Sequence, residues 1–336
     1  MAIQFKLDVL PNLYWFKSQT IQLCIDFISN VVRGSHRSRV RQLQSRLKDI
    51  EVDLYDLFCR WNFISLVNGS FDHDTFLPTG DFVIMNDLEY YLQRFGIQMR
   101  DSFVEFPIQE FHHILQQAIT HTLPPPRPIR LSDTQRQRLH SIYTGLDVDA
   151  DTQRLIARYQ YLGGLNNSLS VPPRILKQFT SHELFGTPLN THTSFCSPFA
   201  DERVFGSSGS FFSFDAFEED TVYFANPPFD DAFCSLVATR LLEQLSIRPF
   251  HLIVIIPVWD SDQQKKHGLK DFGLPFDCYN RLVQSEYFIE DIFLPKDEYP
   301  FFNYFSQRDV YISNVHLINL GKKVDTQKIR QAWVEK

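Results

Sequence analysis

The stretch His251-Leu-Ile-Val-Ile-Ile-Pro257 constrains this 336-residue chain more than any other. Strand side chains alternate between faces, so a half-solvated strand would put a polar residue at every second position. An unbroken apolar, β-branched run of this length instead predicts a strand covered on both sides, as in a parallel sheet. It is much shorter than the roughly 18 to 20 apolar residues of a membrane span, and no other run approaches that length. Neighbouring segments extend the theme. Thr221–Ala225 (TVYFA) reads as a strand, and Phe233, Leu236, Val237, Leu241 and Leu245 line one face of a following helix. Val310–Leu320 reads as a further strand. Strand, loop, helix and strand in this order predict an α/β sheet with a ligand crevice at the carboxyl ends of the strands.

The first part of the chain has a different period. Val40, Leu43, Leu47, Ile50, Leu54, Leu57, Phe58 and Trp61 recur at three- and four-residue steps, the apolar stripe of a long helix. Between Arg33 and Lys48 lie Arg37, Arg39, Arg41 and Arg46 with no acid, mostly off that stripe. Two readings stand, a solvated face and a set of phosphate contacts suited to arginine forks. Four prolines within Thr122–Arg130 forbid helix and favour an extended connector, or alternatively a partner ligand. Ser132-Asp133 then supplies a cap for helix that continues in pieces to about Leu162. The domain reading is therefore a mainly helical region over 1–121, where any phosphate contacts would fall, a connector over 122–130, an α/β domain over 131–325 and a tail over 326–336.

Composition narrows the class. With 43% hydrophobic and 22% charged residues and a net charge of −7, the chain is neither disordered nor a generic polyanion-coating protein. Phenylalanine is unusually abundant, 32 against 13 glycines, enough for a core and for an aromatic-walled pocket. The N-terminal Met1-Ala-Ile-Gln-Phe-Lys6 lacks the charged and apolar regions of a secretory leader. Five widely spaced cysteines read as free thiols of a reducing compartment, and nucleus and cytoplasm stay open. Adjacent His112 and His113 face different directions on a helix, so no metal site is expected.

The motif that carries chemistry is Asn226-Pro227-Pro228-Phe229, between strand and helix, with Asp230-Asp231 supplying acids for the helix start. A pattern of Asp, Asn or Ser followed by two prolines and an aromatic marks enzymes that methylate exocyclic base amines with S-adenosylmethionine. Adenine N6 is a poor nucleophile because its lone pair is delocalised into the ring. The Asn226 side-chain oxygen can accept one N6 hydrogen and the Pro227 carbonyl the other, which favours a tetrahedral nitrogen. Prolines fix φ and bring no competing donor, and Phe229 offers a face for an extruded base. Upstream, Phe205-Gly-Ser-Ser-Gly-Ser210 followed by Asp215 reads either as a close-approach turn with an acid for ribose hydroxyls or as a plain surface loop.

Together, Thr187-Pro-Leu-Asn190, Phe195-Cys-Ser-Pro-Phe199, Phe205–Ser210, Asp215, Ala225-Asn-Pro-Pro-Phe229 and Ile256-Pro-Val-Trp259 follow in one order. In this the chain resembles the cap-specific adenosine N6-methyltransferases of the phosphorylated CTD interacting factor type, over about Tyr159–Leu320. The resemblance implies a Rossmann-like class I methyltransferase domain preceded by a mainly helical domain. It implies methylation of N6 of the 2′-O-methyladenosine next to an m7G cap, with S-adenosyl-L-methionine as cofactor and capped mRNA as partner. It assigns Asn226, Pro227, Pro228 and Phe229 to catalysis on the target base. Cofactor falls to Pro188, Asn190, Phe205, Gly206, Gly209, Ser210, Asp215 and Asn226. Pro257 and Trp259 would flank the substrate. No WW module is visible, so no WW-mediated binding of a polymerase tail is expected, and Val258 stands where the family leads one to expect an acid. Adenine in DNA or internal RNA, and a catalytically silent nucleic-acid-binding relative, are the alternatives.

Other segments carry two readings each. Arg154 and Arg158, four apart on a helix, suit phosphate contact or a solvated face. Asp260–Asp271 reads as a loop closing over nucleic acid or a disordered connection. Tyr299, Phe301, Phe302, Tyr304 and Phe305 suit core or hairpin packing, or a stacking platform for a base or cap.

Overall fold

A computed structural model describes residues 16–27, 108–120, 131–162, 169–269 and 276–335. The stripe of 40–61, the basic stretch Arg33–Lys48, Cys59 and the proline run of 122–130 lie outside these residues. The chain divides into two compact units, one formed by 5–129 with 153–167 and the other by 130–152 with 168–336.

The first unit is helical in its described parts: α1 (16–27), α2 (Ile108–Thr120) and the later turns of α4 (Val148–Leu162). Phe16 packs on Phe111 with centroids 5.9 Å apart, and Lys17 Nζ donates to the Tyr161 carbonyl at 3.0 Å. The proline run is thus not the only crossing. Residues 131–152 belong with the sheet, and the chain returns to the helical unit at 153.

The second unit opens with α3 (Asp133–Ile142). Ser132 forms a capping box with Gln135, as Ser132-Asp133 predicted. Then follow β1 (Leu169–Ser170), α5 (Pro173–Phe179), β2 (His182–Glu183), β3 (Ser194–Phe195), two 3₁₀ turns (Ala200–Phe205, Phe211–Ser213), β4 (Val222–Ala225), α6 (Asp231–Ile247) and β5 (His251–Pro257). The chain continues through α7 (Ser261–Lys266), α8 (Asp277–Val283), β6 (Phe288–Leu294), β7 (Phe301–Asn303), β8 (Arg308–Val310), β9 (Val315–Gly321) and α9 (Thr326–Val334).

Six strands form one mixed sheet in the order β3-β2-β4-β5-β9-β6. The first four are mutually parallel, and β9 runs antiparallel to both β5 and β6. A smaller antiparallel sheet has the order β1-β7-β8. β5 is central, and Leu252–Pro257 are all buried, as a run covered on both faces requires. On one face Val171, Ile175 and Leu176 near α5 and Ile329 and Trp333 of α9 pack on Phe224, Ile253, Ile255, Val315 and Leu317. On the other, α8 sets Tyr279 against His316, ring centroids 4.3 Å apart.

Several expectations change. Residues 326–336 are no tail: Trp333 is fully buried and donates Nε1–H to the Pro300 carbonyl at 2.7 Å. Val310–Leu320 is two strands, because β8 belongs to the small sheet and β9 to the large one, with the chain crossing over at 311–314. Within Asp260–Asp271, residues 261–266 are helix, started by Asp260 Oδ1 accepting from the Asp262 and Gln263 amides at 3.0 Å. Leu236 is 52% exposed, whereas Phe233, Val237, Leu241 and Leu245 are buried as predicted. The 299–305 aromatics are chiefly packing groups: Tyr299, Phe301 and Tyr304 are buried, and 301–310 is a hairpin. Among the described residues no helix is long and apolar enough to cross a membrane, and no group of His, Cys, Asp and Glu could hold a metal ion.

Candidate active site at the switch point of the sheet

From β2 the chain moves outward to β3 and then returns to the opposite side of β2 as β4. Ligands of open α/β sheets bind outside the carboxyl ends of strands where the order reverses in this way. Two loops flank that crevice, 184–190 after β2 and 226–229 after β4.

The second loop is Asn226-Pro227-Pro228-Phe229. Its prolines have no N–H to continue the ladder, which ends β4 at Ala225. Asp230 caps α6 by accepting from the Phe233 amide at 2.9 Å. The Pro228 carbonyl accepts from the Asp230 amide at 2.9 Å and from Cys234 Sγ at 3.6 Å. Asn226 Oδ1 is buried and has no hydrogen-bond partner among the described residues. An unmatched buried acceptor costs about 1–3 kcal/mol, so an oxygen held this way is poised for a donor from elsewhere. Phe229 is half-buried and meets Trp259 edge-on at 6.3 Å and Phe301 at 6.0 Å. Trp259 follows Pro257 at the end of the adjacent strand β5 and packs in turn on Phe276 at 5.4 Å.

The first loop is a tight turn. Asn190 Oδ1 accepts from the Thr187 amide at 2.8 Å and from the Thr187 hydroxyl at 3.1 Å. Gly186 is required there, since a Cβ would lie 2.9 Å from Phe195 Cβ and 3.3 Å from Glu183 Oε2. Beneath this turn sits Glu183, 1% exposed, with Oε2 unpartnered among the described residues. Burial pushes its carboxyl up to about 8, while a Thr191 hydrogen bond and the Arg138 charge pull it down. Arg138 of α3 donates to the carbonyls of Pro188, Leu189 and Thr191. Glu183 and Arg138 were missed as site residues. An acid inside the apolar run His182-Glu-Leu-Phe185 was a usable signal for the first; Arg138, on a polar helix, carries no local signal of its inward contacts.

The third segment continues from β3. Gly206 and Gly209 have φ of 90° and 93°, a region that favours glycine. Ser207 Oγ donates to Ser197 Oγ at 3.1 Å and accepts from the Gly209 amide at 3.1 Å, and Ser210 Oγ accepts from the Phe212 amide at 3.3 Å. Beyond Ser210, the Phe211 ring lies 4.9 Å from that of Phe185, after β2. Phe212 lies 5.7 Å from Phe233, in the first turn of α6. The third segment is thus tied to the first loop and to the helix that follows the second.

Of the residues singled out in the sequence, Asn226, Pro227, Pro228, Phe229, Pro257 and Trp259 lie at adjacent strand ends, with Pro188 and Asn190 across the switch. Gly206, Gly209 and Ser210 belong to the loop tied to them through Phe211 and Phe212. Phe205 is instead a core ring, buried on Tyr143 at 5.1 Å. Asp215, with a side chain 79% exposed, is ion-paired to Arg240 at 2.5 Å. Arg154 and Arg158 lie in the part of α4 that belongs to the helical unit, and Arg158 is 1% exposed, so its guanidinium is no solvated phosphate contact.

The family model described as Phosphorylated CTD interacting factor 1 WW domain matches residues 147–303. The match points to the phosphorylated CTD interacting factor family. In this chain the matched residues run from α4 to β7 and include all three loops of the crevice. No curated protein matches the chain.

Proposed function

We propose that this chain is an S-adenosylmethionine-dependent RNA adenine N6-methyltransferase, acting on the 2′-O-methyladenosine next to an m7G cap. The observation that carries the reading is the buried, unpartnered Asn226 Oδ1 beside the Phe229–Trp259 ring pair, at the switch point of a largely parallel sheet. The family match and the parallel run β3-β2-β4-β5 support the finer reading of this unit as a Rossmann-like methyltransferase domain.

Each residue has a defined task. Asn226 Oδ1 accepts one N6 hydrogen of adenine and the Pro227 carbonyl the other, turning the nitrogen lone pair outward. Phe229 carries the extruded base, and Trp259 walls its edge. The rigid dipeptide holds these acceptors before the base arrives, so little reorganisation is needed during reaction. The unpartnered Oε2 of Glu183 and the tight turn at Gly186 fit a ligand bearing donor groups. The turn with Pro188 and Asn190, the loop with Gly206, Gly209 and Ser210, and Glu183 would hold S-adenosylmethionine. That cofactor supplies an electrophilic methyl group on a sulfonium.

The test is tritium transfer to four matched substrates: m7G-capped RNA beginning with 2′-O-methyladenosine, capped RNA without that methyl, uncapped RNA and DNA. Labelling of the first alone is expected. Equal labelling of all four would move the reading to adenine in RNA or DNA generally, and labelling of none would leave a silent relative. The description of the matched family model favours a second reading, in which the chain binds a phosphorylated CTD. Titration with phosphorylated and unphosphorylated CTD peptides separates it from the first.

A further inference from the structure

We infer that Arg138 is a positioning residue for the cofactor loop, clamping the turn after β2 and tying it to the hairpin that backs the base platform. This rests on the methyltransferase reading above. Arg138 is one residue of an amphipathic helix outside the sheet, yet its guanidinium is committed inward. It donates to the backbone carbonyls of Pro188, Leu189 and Thr191, spanning the turn that Thr187 and Asn190 close from within. A planar fork with donors on two nitrogens reaches carbonyls at both ends of the turn, which the single nitrogen of a lysine cannot do in the same geometry.

The same group reaches a second element. Arg138 Nη2 donates to the Tyr304 hydroxyl at 3.2 Å, and the guanidinium lies 5.7 Å from the centre of that ring. Gln135, one turn earlier on α3, donates Nε2–H to the Tyr304 carbonyl at 3.1 Å. Tyr304 directly follows β7, whose Phe301 packs edge-on against Phe229 at 6.0 Å. Strand pairing of β7 with β1 and with β8 keeps that hairpin rigid. A single guanidinium thus sets the distance between the loop proposed for cofactor and the element behind the loop proposed for base. A basic residue spent in this way is unavailable to RNA phosphate.

The experiment uses the full chain and two conservative variants, Arg138→Lys and Tyr304→Phe. Affinity for S-adenosylhomocysteine is measured by calorimetry, hydrogen exchange is followed over 184–193, and kcat and the KM for S-adenosylmethionine are measured with saturating capped RNA. Lysine keeps the charge but loses the fork. We expect cofactor Kd and KM to rise by about ten- to a hundredfold. kcat at saturation should stay within about threefold, and exchange should quicken in 184–193 but not in β5. Tyr304→Phe should weaken cofactor binding by about threefold. A folded Arg138→Lys protein with wild-type affinity and exchange would overturn the inference. If that variant does not fold, Tyr304→Phe decides, and unchanged affinity there overturns it equally. Failure of the wild type to bind cofactor would instead overturn the methyltransferase reading, whatever Arg138 does to exchange in the turn.

Discussion

Phe229 and Trp259 meet edge to face, with ring centroids 6.3 Å apart and planes inclined at 79°. They leave neighbouring parallel strands, β4 and β5, which pair from Val222 with His251 to Ala225 with Val254. Two motifs thirty residues apart in sequence therefore build one wall. Stacking of a base on an aromatic ring is worth about 1–3 kcal/mol. Phe229→Leu should lower kcat/KM for capped RNA by about ten- to a hundredfold, with little change in cofactor affinity. Steady-state kinetics beside cofactor calorimetry would show this; an equal loss in both would mean that the ring shapes the cofactor site instead.

Glu183 makes stability depend on pH. Its folded carboxyl is raised from 4.5 to about 8, so between those values the folded protein holds a proton that the unfolded chain has released. Stability from this group is complete below the unfolded value and declines as pH rises toward the folded one. Glu183→Gln removes the titration. Its melting temperature relative to wild type should therefore climb between pH 5 and pH 8, a comparison made by calorimetry at several pH values. Parallel curves would show that the carboxyl is not held in this buried state.

Trp333 closes the core beneath α9. Trp333→Ala should cost about 3–5 kcal/mol, read as a fall in the denaturant midpoint. Deleting residues 326–336 should abolish cooperative unfolding of the sheet. A truncated protein with the wild-type midpoint would restore the tail reading.

The parts legible in the sequence are those set by local rules. β5 was visible because a strand buried on both faces needs an unbroken apolar run. The starts of α3 and α6 were visible because Ser132 and Asp230 are short acceptors ahead of helical periods. The Asn226-Pro-Pro-Phe229 turn was legible because consecutive prolines, with no N–H to donate, end a strand. What stayed hidden depends on partners distant in sequence. Glu183 becomes a buried carboxyl only when the turn at Gly186 folds over it, and Arg138 is a loop clamp only because Pro188–Thr191 pass beside α3. The helix of 261–266 is a polar hexamer held by its Asp260 cap, with no apolar period to betray it. Trp333 looked peripheral because its helix carries few apolar residues, and the sheet face that receives them comes from four other strands.

The central claim rests on one oxygen. Because Asn226 Oδ1 has no partner among the described residues, Asn226→Ala should unfold no more easily than wild type while losing the acceptor that the proposed reaction needs. The decisive measurement is tritium transfer from S-adenosylmethionine to m7G-capped RNA by wild type and Asn226→Ala at equal folded concentration. The account predicts labelling of N6 by the wild type and a rate on the order of a hundred- to a thousandfold lower for the variant. An Asn226→Ala protein that labels adenine at the wild-type rate would contradict it.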